Sequence, residues 1–265
     1  MTTTIVVPAR YASTRYPGKP LVDLRGAGGD AKPLIRRSWE AAIAVRGVAQ
    51  VVVATDDDRI AQTARGFGAR VAMTPASARN GTERCAAALD ALGDADLIVN
   101  LQGDAPLTPP SFVEALIERM VADPSIQVAT PAVRATAEIH HRLLADQQAG
   151  QVGGTTVAIG TSGDGLYFSK SVIPHVGADR LGDPALPVFL HIGVYAYRRA
   201  ALEAYAALAP TPLELLEGLE QLRFVESGLP VRVVEVETPG YDIWELNNPH
   251  DVAPIEAALA ARGIA

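Results

Sequence analysis

A single cysteine, Cys85, excludes an intrachain disulfide and any zinc site built from cysteines, which fits a reducing compartment. Positive charge is also short. Lys plus Arg number 23 against 30 acids, a net charge of -7, so nothing pulls the whole surface toward nucleic acid or an anionic membrane. No apolar run approaches the roughly 18–20 residues of a membrane helix. Pro8 and Arg10 break the first apolar run before it could serve as a signal-peptide core. Internal repeats, linkers and low-complexity stretches are missing, as are the phosphate-binding patterns GxxxxGK[ST] and GxGxxG. These absences point to a cytoplasmic protein with neither membrane nor nucleic acid as partner. Any anion it binds must be held by a focused site.

What is present is an alternation. Over 265 residues, 48% of them hydrophobic, short β-branched runs exchange with alanine-rich amphipathic stretches. "TTIVVPA", "AQVVVATD", "ARVAMT" and "DLIVNLQGD" read as strands. "PLIRRSWEAAIAVRG", "DRIAQTARGFG", "GTERCAAALDALG" (with Thr82 as N-cap) and "PSFVEALIERMVAD" read as helices. Apolar strands without strict alternation imply a parallel sheet covered on both faces. The fold class is therefore α/β, doubly wound and mostly parallel. Beyond about residue 125 the rhythm loosens. "IQVATPAVRA" and "VGGTTVAIGTSGDGLYFSKS" read as antiparallel strands, the latter turning through Ser162, Gly163 and Asp164. "VFLHIGVYAYRRAALEAYAAL" reads as a strand entering a helix, and "TPLELLEGLEQLRFVESG" as one helix with Thr211 as N-cap. "PVRVVEVET" and "NNPHDVAPIEAALAARG" supply a last strand and helix. One domain, 1–265, with a β-rich insertion over about 126–200 is expected.

Ligands of doubly wound sheets bind beyond the carboxyl ends of the strands. Four polar stretches should meet there: the Arg10–Lys19 loop, Ala54–Asp58, Asn100–Pro106 and His191–Tyr197. The first holds Arg10, Arg15 and Lys19 without an acid, beside Pro17, Gly18 and Pro20. It reads either as a phosphate cradle or as a solvated basic loop. Asp104 reads as a Mg²⁺ ligand, since that ion needs few protein oxygens, or as a turn aspartate. Asp56–Asp58 read as a helix cap. His191 and Tyr195, sharing one face of one strand, read as hydrogen-bonded core groups or as a sugar-binding face.

Taken together, "PARYASTRYPGKPL", "VVVATDDD", "GTER", "VNLQGDAP", "LYFSKSVIP", "HIGVYAYR" and "PLELLEGLEQLR" resemble the CMP-sugar synthetases, and within them the 3-deoxy-manno-octulosonate (KDO) cytidylyltransferases. The pieces follow family order and span nearly the whole chain. The resemblance implies a nucleotide-diphospho-sugar transferase-like, Rossmann-like fold and transfer of CMP from CTP to a small acidic acceptor, with release of pyrophosphate. It implies CTP on Arg10, Ser13, Arg15, Lys19, Gly81, Thr82, Arg84 and Gln102. Lys19, Arg10 and Asp104 would be the catalytic residues. His191, Tyr195, Glu220, Gln221 and Lys170 would hold the acceptor. Mg²⁺ would sit on Asp104 and on Asn247, with Asp242 or Glu245 as alternative carboxylates. A homodimer, formed through the β-rich insertion that also holds the acceptor, is implied too.

The departures from the family pattern fall in two places. Ala105 stands where the family has glutamate, and Asn247 where it has a second metal-binding aspartate. Leu190 and Lys170 each replace an arginine near the expected acceptor pocket. CTP is thus the firmer expectation, with KDO or a close analogue as acceptor. The alternatives are a small phosphonate such as phosphonoformate and a non-catalytic nucleotide-binding relative.

Overall fold

The computed structural model describes residues 1–265 apart from Thr14, Gly182, Pro184 and Asp242, and apart from the side chain of Ala178. In chain order the strands and helices are β1 (Thr3–Ala9), β2 (Asp23–Arg25), β3 (Ala31–Pro33), α1 (Leu34–Ile43), β4 (Gln50–Thr55), α2 (Asp58–Gly66), β5 (Arg70–Met73), α3 (Gly81–Ala87), β6 (Leu97–Leu101) and α4 (Pro110–Ala122). They continue as β7 (Val128–Arg134), α5 (Ala137–Gln148), β8 (Thr155–Ile159), β9 (Gly165–Ser169), β10 (Phe189–His191), β11 (Val194–Arg198), α6 (Arg199–Ala207), α7 (Pro212–Glu217), α8 (Leu222–Glu226), β12 (Val231–Val236) and α9 (Val252–Ala261).

One sheet carries the order β5-β4-β1-β6-β11-β7-β10-β8-β9, with β12 joined to β7. Its first four strands run parallel. β1 and β6 are buried along their whole length, so both of their faces must be covered. On one face Ile35, Ile60, Val113 and Leu116 from α1, α2 and α4 pack against Ile5, Val7 and Val99. On the other, Cys85, Leu202 and Phe224 from α3, α6 and α8 pack against Val6, Ile98 and Tyr197. The chain winds from β1 outward to β4 and β5, then returns to place β6 on the other side of β1. That reversal is the topological switch, and it opens a crevice beyond the ends of β1 and β6. From β6 outward the sheet continues through antiparallel pairs, including the expected β8–β9 hairpin.

A third apolar cluster of Leu24, Leu34, Leu107, Leu246, Ile255 and Leu259 locks the small β2–β3 hairpin and α9 beneath the crevice. Neither that hairpin nor α5 is anticipated by the sequence rhythm. Two expected single elements are each broken in two. The stretch from Val188 to Arg198 forms β10 and β11, because Val194 N turns back onto Ile192 O (2.7 Å). The helix expected after Thr211 divides at Gly218, whose φ of 64° ends α7 before α8 begins. Among the described residues no helix is long and apolar enough to cross a membrane.

Candidate active site

An open cleft of about 240 Å³ lies at the switch. Arg10, Ser13, Arg15 and Lys19 line it from the loop after β1, Arg79–Gly81 and Arg84 from the start of α3, Gln102–Asp104 from the end of β6, and Asn247 from the segment before α9. The loop is shaped by its own aromatic residue. Gly18 has φ 74°, and a Cβ there would lie 3.0 Å from the Tyr11 ring. The opposite side of that ring carries the Arg59 guanidinium at 3.4 Å. Gly103 has a different necessity, since a Cβ would fall 2.4 Å from Pro8 O where β6 passes the end of β1.

The cations are paired unequally. Lys19 Nζ donates to Asp104 Oδ2 at 2.5 Å, and Arg79 pairs with Glu83 at 2.6 Å. Arg84, 2% exposed, donates to Thr74 Oγ1 and lies 3.4 Å from Asp56. Burial lowers its pKa and Arg10 pushes the same way, against the pull of Asp56. Among the described residues Arg10 and Arg15 meet only neutral oxygens, those of Arg79 O (3.4 Å) and Asn247 Oδ1 (2.8 Å). Two guanidinium groups facing a cleft without a carboxylate partner are suited to phosphate oxygens. Of the Ala54–Asp58 stretch, only Asp56 approaches the site, through Arg84. Asp57 caps α2 by accepting from Arg59 N, as expected.

At the far end of the cleft, Leu246 N donates to Asp104 O (2.8 Å) and so brings Glu245 and Asn247 beside Asp104. Asn247 Nδ2 faces Glu245 Oε2 at 3.4 Å. Burial, reinforced by the Asp104 charge, raises the Glu245 carboxyl to about 7, with Asn247, Lys19 and Arg15 opposing. The Asp104 and Glu245 carboxylates side by side with the Asn247 amide form a donor set of the kind Mg²⁺ takes. Asp242, the other carboxylate considered, lies outside the described residues. Ala105 is buried in the turn after β6, its N bonded to Gln102 O, and brings no charge.

Behind the cleft lies a second, buried set. Asn80, not Thr82, caps α3, its side chain accepting from Glu83 N. The amide reaches the third helical residue because the chain enters the helix at Gly81. Thr82 sits inside the first turn and does not line the cleft: its Oγ1 lies 2.7 Å from Tyr197 OH, and its N donates to Glu220 Oε2 at 2.8 Å. Glu220 also accepts from Gln102 Nε2 at 3.4 Å, which joins the α7–α8 linker to the cleft floor. Burial pushes the Glu220 carboxyl up, partly offset by the Thr82 bonds.

Tyr195 OH donates to Gln221 Oε1 (2.9 Å). His191 and Tyr195 occupy different strands, β10 and β11, with β7 between them in the sheet, yet their ring centroids lie 5.5 Å apart. Thr130 Oγ1 donates to Val194 O (2.8 Å), so the His191 Nε2 at 2.9 Å must be the N–H donor, leaving Nδ1 as an acceptor. Burial lowers His191 to about 3 and keeps it neutral.

Lys170 is exposed on the rim. Its backbone N donates to Glu217, and its Nζ lies 3.0 Å from where a Gly218 Cβ would be, over the end of α7. Leu190 packs on Gly154, where a Cβ would meet its Cδ1 at 2.6 Å, so an apolar contact occupies that position.

Sequence reasoning did not single out Arg79, Asn80 or the clamp that fixes α3. In that clamp the buried Arg223 holds Glu214 (2.5 and 2.6 Å) and Glu83 (2.9 Å), and its guanidinium stacks on Tyr205 at 4.1 Å. Burial draws the Arg223 pKa down, but the two carboxylates more than restore it. "RNGTER" did carry a signal: Asn before Gly at a helix start, with Arg and Glu four apart.

Comparison with known proteins accords with this geometry. A family model described as cytidylyltransferase matches residues 4–235. The 3-deoxy-manno-octulosonate cytidylyltransferase of Maricaulis maris is 46% identical over 99% of both chains. The enzyme of that name from Zea mays is 39% identical over 98% of this chain and 81% of its own. A solved CMP:2-keto-3-deoxy-manno-octonic acid synthetase complexed with CTP superposes with a TM-score of 0.83 at 36% identity, covering 99% of this chain and 100% of that one. The chain belongs to the cytidylyltransferase family.

Proposed function

We propose that the protein transfers CMP from CTP to 3-deoxy-manno-octulosonate and releases pyrophosphate. The observation that carries this reading is the joining of a cleft whose Arg10 and Arg15 hydrogen-bond only to neutral oxygens to a buried polar row through the Gln102–Glu220–Thr82 contacts. Two adjoining sites of opposite character suit a charged nucleotide and a polyhydroxylated acid. Arg10, Arg15 and Lys19 bind the triphosphate. The gap between α3 and β6 takes the cytidine. Tyr195, Gln221, Glu220 and His191 orient the sugar acid, with the Lys170 ammonium at the rim toward its carboxylate.

A hydroxyl oxygen of the acceptor attacks the α-phosphorus and gives up its proton to solvent water. The new P–O bond forms as the bond to the bridging oxygen breaks, and pyrophosphate leaves with that electron pair. Lys19 and the two arginines neutralise the charge gathering on the leaving group, and alignment supplies the rest of the acceleration. Asp104, Glu245 and Asn247 would hold Mg²⁺, which would neutralise phosphate charge when bound.

We further propose a homodimer formed through the antiparallel half. Leu166, Leu215 and Leu216 there are 64%, 68% and 82% exposed, an apolar surface a second copy would cover. Sedimentation or light scattering tests it, and a monomer at micromolar concentration sinks it.

The function is tested by pyrophosphate release from CTP with KDO, with the product identified by mass. Turnover with phosphonoformate but not KDO would replace the acceptor. CTP binding without any turnover would leave a nucleotide-binding protein.

A further inference from the structure

Asn100 is the one residue of β6 whose side chain contradicts its surroundings. It is 0% exposed, within a strand that reads Leu97, Ile98, Val99, Asn100, Leu101. Neither its Nδ2 nor its Oδ1 has a hydrogen-bond partner. A buried amide left unmatched costs stability at each unpaired group, and asparagine is a poor strand former besides. Ile98 on the same face shows that an aliphatic residue would fit the sheet there. The fold has no use for this amide.

Its surroundings say what could use it. Asn100 is the cross-strand partner of Tyr195. Past Tyr195 the same face continues to Thr130 and His191, so one row runs across β6, β11, β7 and β10. The inner end of that row is satisfied, His191 against Thr130. The end nearest the cleft is not. Gln221, 1% exposed, also has an unpartnered Nε2, although its Oε1 accepts from Tyr195. Tyr195 is thus the cross-strand partner of one orphan amide and the hydrogen-bond partner of the other.

Gly81 packs directly on the Asn100 amide and on Gln102. A Cβ there would lie 2.7 Å from Asn100 Nδ2 and 2.9 Å from Gln102 Nε2. Gln102 lines the cleft and Asn100 does not, and the 3.4 Å bond from Gln102 to Glu220 is a weak closure between them.

We propose that Asn100 binds the acceptor: its amide, together with Gln221 Nε2, takes a hydroxyl of the sugar acid at the cleft floor beside Gln102. A hydroxyl both donates and accepts, and Asn100 offers both unmatched. This rests on the function proposed above and adds a residue to it. A group kept unsatisfied by the fold for the sake of a ligand gives an unusual signature, because removing it harms binding without harming stability.

The test is Asn100→Leu, with the same number and branching of side-chain heavy atoms but no polar group, measured by thermal melt and by steady-state kinetics with KDO and CTP varied in turn. The expected result is a Tm equal to or above that of the wild type, a KM for KDO raised about tenfold or more, and a KM for CTP within about twofold. A Tm several degrees lower with unchanged KM for KDO overturns the inference, as does an equal rise in both KM values. If Asn100→Leu is insoluble, Asn100→Thr, which restores strand propensity, is read by the same criteria. A wild type that fails to turn over KDO sinks the proposed function instead. The melt then decides for Asn100 alone: a lower Tm overturns its ligand role and an equal or higher one supports it.

Discussion

The two halves of the sheet meet at β6 and hold their polar groups in opposite ways. On the parallel side, Arg10 and Arg15 reach into an open cleft with their charge unneutralised. On the antiparallel side, His191, Tyr195 and Gln221 are buried and kept uncharged, and each is held by a named neighbour. On the function proposed above, the difference follows from what each half has to recognise. Phosphate oxygens carry full charge, so long flexible cations at a wet surface suffice, and the ligand itself completes the electrostatics. A sugar hydroxyl is neutral and much like water. It can be selected only where water is excluded and an unmatched partner costs energy.

The sharpest break in that comparison is on the charged side. Lys19→Ala and Asp104→Ala should each lower kcat by about 10³-fold or more while leaving the fold intact. Their mutual bond is partly exposed (14% and 24%), so its loss costs little stability. Melts and pyrophosphate release measure both effects. Near-normal turnover in Asp104→Ala would remove the metal assignment, and a large fall in Tm would show that the pair serves the fold.

On the buried side the expected effect is smaller and confined to one substrate. Tyr195→Phe strips the donor from Gln221 Oε1 and leaves that amide unmatched at both ends. The KM for the acceptor should rise about tenfold, with CTP affinity by calorimetry unchanged. A parallel loss of CTP affinity would show that the two sites are not separable.

The same contrast decides what could be read in advance. The parallel half announced itself, because apolar strands, amphipathic helices and basic or acidic strand ends are local signals. Arg10, Arg15, Lys19, Gln102 and Asp104 accordingly converge as expected. The antiparallel half depends on contacts remote in sequence. Nothing local separates β10 from β11, since Ile192 and Gly193 turn only because Ile192 N bonds to Pro131 O and Val194 N back to Ile192 O. Thr82 looked like a cap, and only the fold shows its amide given to Glu220, 138 residues away. Asn100 lies inside a quoted motif, yet its significance is an absence of partners, which no sequence displays.

A more modest change probes the border between the halves. Asn247→Asp adds a carboxylate beside Asp104 and Glu245 and gives Arg15 a charged partner. The Mg²⁺ concentration for half-maximal rate should fall severalfold, because Mg²⁺ binds charged oxygen more strongly than amide oxygen. An unchanged magnesium dependence would place Asn247 away from the metal.

The smallest effect concerns stability alone and reports how dry the acceptor side is. Burial lowers His191 to about 3, whereas an unfolded histidine titrates near 6.5. Between those values the unfolded chain binds the proton and the folded chain does not. Stability from this site is therefore complete above about pH 6.5 and is lost as pH falls toward 3, by at most about 1.4 kcal/mol per pH unit. Glu220 runs the other way, since its raised pKa favours the folded state as pH falls. A wild-type curve alone would mix these two with Glu245, which is raised to about 7 and also favours the folded state as pH falls. The difference between wild type and His191→Gln isolates the histidine, because the glutamine amide can still donate to Thr130 but has no proton to gain. On lowering the pH from 7 to 4.5 the variant should lose several degrees less in Tm than the wild type, at about 2–4 °C per kcal/mol. Parallel losses would mean that water reaches His191, and the contrast between a wet nucleotide site and a dry acceptor site would fail at its innermost residue.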